Sequence, residues 1–88
     1  MSEPSVTTPA RREHRLLVAA VDAVHDRREH APFLSSLGET AGLSAEDTEL
    51  AGAALADQGL IRGLSSAQSD APLRVLEVSP AAVRQVRG

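Results

Sequence analysis

Eighty-eight residues can enclose one hydrophobic core but not two, so the chain is expected to form a single domain. The absence of cysteine excludes disulfide frameworks and thiolate metal sites; with no leader-like N-terminus, the cytoplasm is the expected location. Nine basic residues, all of them Arg, stand against twelve acids for a formal net charge of −3, and no apolar run approaches the roughly 20 residues of a membrane span.

Arg without Lys, with Ala, Val and Leu supplying most of the apolar content, suggests a GC-rich bacterial coding bias. Phe33 is the only aromatic residue. A platform of stacked bases on aromatic side chains is therefore disfavoured.

In chain order, residues 1–10 hold Pro4, Pro9 and several Ser and Thr among few apolar groups, too little burial to offset the entropy of ordering them, so a disordered tail is expected. The domain proper is expected over 11–88. From Arg11 to about Arg28, Leu16, Leu17, Ala20, Val21 and Val24 fall within an arc of roughly 140° at about 100° per residue, an amphipathic helix. His30-Ala31-Pro32 ends it, because the residue before proline is pushed away from helical angles.

A short second helix starts at Leu34 and stops at Gly42, which can take the left-handed angle that a helix C-terminus needs. Ser44 followed by Asp47 is a capping arrangement for a third helix running to about Gln58, with Gly59 closing it. That helix is expected to bury some of Thr48, Leu50, Ala51, Ala54 and Leu55.

Leu60 and Ile61 begin a strand, residues 63–72 are turn formers, and Leu73 to Val78 has the β-branched content of a returning strand. Ser79-Pro80 then places an N-cap and an N1 proline ahead of a last helix, Ala81 to Arg87. The fold class is mainly α with a small β-hairpin (α+β), in the order α-α-α-β-β-α.

Leu37 ahead of Gly42-Leu43-Ser44, then Leu55 with Gly59-Leu60-Ile61, then the hairpin and Val78-Ser79-Pro80, resemble winged helix-turn-helix transcription regulators of the MarR and PadR type. The likeness covers residues 34–82. It implies that the third helix is a recognition helix, that the hairpin is a wing, and that the protein binds DNA as a regulator, as a dimer or within a larger complex. With only a short helix after Pro80, any homodimer would rely on the first helix.

Charge pulls the other way. Between Ser35 and Leu60 there are five acids (Glu39, Glu46, Asp47, Glu49 and Asp57) and no Arg, Lys or His, although phosphate neutralisation by basic side chains supplies most non-specific affinity for DNA. Arg62 and Arg74 on the wing, and Arg11 and Arg12 at the start of the first helix, are the basic candidates for DNA contact, with Ser44 and Thr48 as polar ones. A wing can place an arginine in the minor groove. The alternative is a winged helix turned to protein recognition, with Glu46, Asp47 and Glu49 meeting a basic protein partner; a fold does not fix a function.

Gly52 inside the third helix, costing about 1 kcal/mol against alanine, reads as a poor feature for rigid insertion into a groove. Catalysis is not expected: no nucleophile elbow, glycine-rich phosphate loop or HExxH sequence is present, and a core this small leaves little room for a ligand cavity. His14 and His25 lie about 16 Å apart along one helix, too far to share a metal. His25 with Glu29, or Asp26 with His30, offers only a pair of ligands, too few for a zinc site. No cofactor is expected.

Overall fold

A computed structural model describes residues 9–26, 32–65 and 72–88. Helix α1 spans Pro9–Ala20 and continues as a π-helical turn over Val21–Asp26; α2 spans Leu34–Ala41, α3 Ala45–Asp57, β1 Ile61–Ser65, β2 Pro72–Val78 and α4 Pro80–Arg87. The domain is therefore mainly helical with one antiparallel hairpin, in the order α-α-α-β-β-α. The expected tail over residues 1–8, the end of the first helix near Arg28 and the hairpin tip at 66–71 lie outside the described residues.

The first helix starts earlier than the composition of its N-terminus suggests. Pro9 and Ala10 belong to α1, not to a tail, because a proline in the first turn lacks only an amide hydrogen that the helix would leave unbonded anyway. Leu16, Leu17, Ala20 and Val21 are fully or almost fully buried, as their shared arc requires. Beyond Ala20 the wider π-turn rotates the register, so Ala23 is buried and Val24 only partly so. The same turn carries Asp26, which pairs with Arg87 and ties the end of the first helical segment to α4.

Helices α2 and α3 end alike. Gly42 has φ 77° and Gly59 φ 76°. Leu43 N–H reaches back to the Gly38 carbonyl at 2.8 Å, and Leu60 N–H to the Leu55 carbonyl at 2.9 Å, the long return bond of a Schellman turn. Ser44 caps α3 by accepting from the Asp47 amide at 3.1 Å. Ser79 caps α4 in the same way, accepting from the Ala82 amide at 3.1 Å.

Helices α2 and α3 meet through small residues. A Cβ added to Gly38 would lie 1.9 Å from Thr48 Oγ1, and one added to Gly52 would lie 2.6 Å from a Leu34 methyl. Gly52 is thus a packing position and not a flaw in α3: its missing side chain lets Leu34 lie against the helix.

The hairpin departs from simple alternation. Strand β1 extends through Gly63 to Ser65, where turn formers were expected, and the pairing slips between Arg62/Gly63 and between Leu64/Ser65. At the first slip Leu76 is the extra residue on β2, so Leu76 and Glu77 are both exposed while Val75 stays buried. A bridge between Phe33 and Arg74, with Val75 N–H donating to the Pro32 carbonyl at 2.9 Å, attaches the chain just before α2 to β2. Ala19, Leu34, Leu37, Leu43, Ala51, Leu55, Leu60, Ile61, Val75 and Ala82 complete the core.

Candidate docking face on the third helix

The orientation of α3 follows from its buried side, which carries Thr48, Ala51, Gly52 and Leu55. At about 100° per residue the opposite direction is occupied by Glu46, Glu49, Leu50, Ala53 and Asp57. Glu46, Glu49 and Asp57 are exposed, and Leu50 is 48% exposed. The face that the resemblance would turn toward DNA thus carries three carboxylates around an apolar centre, without a basic residue.

The basic residues are placed elsewhere. Arg12 lies across the N-terminus of α3, its guanidinium 3.6 Å from Asp47 and its side chain mostly buried. This supplies a compensating arginine for the acidic first turn, and it comes from α1. Asp47 therefore faces α1 and is separated from Glu46 and Glu49, so the three acids do not act as one set. Among the described residues Arg12 Nε is buried without an acceptor, which marks the pair as a packing arrangement around the arginine stem more than a fully bonded ion pair.

Arg74 is stacked on Phe33, its guanidinium carbon 4.7 Å from the ring centroid. Arg62 stays out in solvent at 74% side-chain exposure, with Glu77 at 3.9 Å. Arg11 is exposed in the first turn of α1.

Of the polar candidates, Ser44 is occupied in capping α3, although its hydroxyl is exposed. Thr48 does not project outward: it is 4% exposed and its hydroxyl donates to the Ser44 carbonyl at 2.7 Å. Of the candidates for DNA contact, Arg12 and Thr48 are packed inward, Arg74 lies on Phe33, and Arg62 is exposed on the same hairpin as Arg74.

Beside the α3 face lies a feature that the sequence did not disclose. A surface groove of about 340 Å³ opens between the start of α2 and the start of α3. Leu34 and Leu43 provide buried apolar surface, Phe33 is a 54% exposed wall, and Glu39 and Glu49 stand as exposed carboxylates beside it. The space lies between the helices at their N-terminal ends and not inside the core, to which the expectation of little room for a ligand applied. Phe33 was legible as the only side chain able to stack, but its partner Arg74 is more than forty residues away in sequence.

The start of α2 contributes backbone chemistry. Phe33 occupies its N-cap position and has no side-chain acceptor, so no side chain caps the helix. The bridge to Arg74 turns the Leu34 amide toward β2, and the Ser35 and Ser36 amides that follow it have no side-chain cap.

Among the described residues no group of three or more His, Asp or Glu is placed to hold a metal ion; Glu29 and His30 lie outside them. No described helix is long and apolar enough to cross a membrane. No protein-family profile, no curated protein and no solved structure matches the chain.

Proposed function

We propose that this chain is a winged-helix-like module that recognises a protein partner through the α2–α3 surface, without binding DNA there. The observation that carries this reading is the outward face of α3, where Glu46, Glu49 and Asp57 surround Leu50 and Ala53. Carboxylates at that position oppose phosphate, whereas an apolar centre ringed by charge is a common arrangement for protein recognition.

The test is a polarisation titration of labelled duplex DNA at about 50 mM and about 200 mM salt, since sequence-blind phosphate binding is strongest at the lower value. No association at either salt is the expected result. Association at the lower salt that weakens steeply at the higher one would overturn the reading.

A second reading, DNA binding led by the hairpin, draws support from the exposure of Arg62. If it holds, Arg62→Ala combined with Arg74→Ala weakens DNA association and lowers its salt dependence. Unchanged affinity in the double variant removes it.

A further inference from the structure

Resting on the protein-recognition reading, we propose that the α2–α3 groove takes an apolar side chain from a basic amphipathic segment of a partner protein, with the segment's Arg or Lys side chains meeting Glu39, Glu46 and Glu49. Leu34 and Leu43 offer an apolar floor and Phe33 an apolar wall, in a space of about 340 Å³. That is room for one Leu, Met or Phe side chain and the chain around it.

Charge complementarity selects the rest of the ligand. Glu39 and Glu49 line the groove, and Glu46 is exposed one residue beyond Ala45, which also lines it. Arg74 lies on the Phe33 ring, at one wall of the groove. It leaves the opposite side acidic, so the bound segment should place its cations toward α3 and away from Phe33.

At the uncapped start of α2 the Ser35 amide, beside the groove, adds a donor for a backbone carbonyl of the segment. A phosphate or nucleic-acid ligand could also use that amide, but it would have to approach Glu39 and Glu49 to reach it. Cationic apolar peptide satisfies all three features together: the apolar floor, the acidic side and the Ser35 amide.

The experiment titrates the full chain, labelled with ¹⁵N, with three synthetic amphipathic peptides of equal length. One carries Leu on one face and Arg beside it, one has Glu in place of Arg, and one has Ser in place of Leu. The expected result is that the Leu/Arg peptide shifts the amides of Ser35, Leu43, Ala45 and Glu49. Both other peptides should bind at least about tenfold more weakly.

Glu39→Arg with Glu49→Arg, both exposed positions that leave the core untouched, should exchange the preference in favour of the Leu/Glu peptide. Equal binding of all three peptides, shifts confined to other faces, no groove shifts with any peptide, or duplex DNA shifting the same amides would each overturn the proposal. The polarisation titration separates the two failures. Peptide failure without DNA association removes the groove assignment alone, and DNA association at low salt removes the reading on which it rests.

Discussion

Gly38 and Gly52 look interchangeable in the sequence, each a glycine inside a helix, yet their surroundings give them opposite expected responses to alanine. Removing a helical glycine gains up to about 1 kcal/mol of intrinsic propensity at either site. At Gly38 the new Cβ would lie 1.9 Å from Thr48 Oγ1 and 2.7 Å from Thr48 Cβ, close to the backbone of a buried residue. The helices must therefore separate, and overpacking of this kind costs about 1–3 kcal/mol. At Gly52 the close atom is a terminal methyl of Leu34, which has the adjacent groove to turn into. Gly38→Ala is expected to lower the thermal midpoint by several degrees, and Gly52→Ala to leave it within a degree or two or raise it; paired melting curves decide this. Arg12 yields a second contrast: Arg12→Met keeps the buried stem and is expected to cost less than about 1 kcal/mol, whereas Arg12→Ala, which also loses the packing, is expected to cost about 1–2 kcal/mol in urea unfolding.

Among the elements, the signals that act through neighbouring residues were legible. Gly42, Ser44, Gly59 and Ser79-Pro80 each end or start a helix within a residue of the expected place, because caps and left-handed turns depend on chemistry a few residues away. Features that depend on distant residues were not: the π-turn at Val21–Asp26, the two slips in the hairpin, and the bridge from Phe33 to Arg74. The acidic face of α3 could be read from Glu46 and Glu49, but the separation of Asp47 from them required the position of α1. The burial of Thr48 lies within what was expected for the helix, and it leaves that side chain little surface for the contact also expected of it. Ser44→Ala and Ser79→Ala should each remove one side-chain cap and cost about 0.5–2 kcal/mol, measured by chemical denaturation. Ser44→Ala should additionally increase amide exchange at Asp47, the residue its hydroxyl now satisfies.

At the scale of the whole molecule, the first helix spends its apolar side chains within one subunit. Leu16, Leu17, Ala20 and Val21 are buried by the chain's own elements, and Val18 is its one large apolar residue that is exposed. A two-fold interface built on α1 therefore has little surface to use. Sedimentation at high micromolar concentration is expected to give the 9.2 kDa mass of one chain; a stable dimer would show that another face, such as the one bearing Leu50, is self-complementary.

The bridge between Phe33 and Arg74 gives the hairpin and the groove a shared wall. Val75 N–H holds the Pro32 carbonyl, and the Arg74 guanidinium holds the Phe33 ring that bounds the groove. Any molecule that grips the hairpin and displaces β2 must then alter the shape of the groove, and a ligand that fixes Phe33 must steady β2 by the same free energy. The hairpin would act as a lever on the groove, and slower hydrogen exchange at the Val75 amide would record occupancy of a groove whose lining does not include this residue.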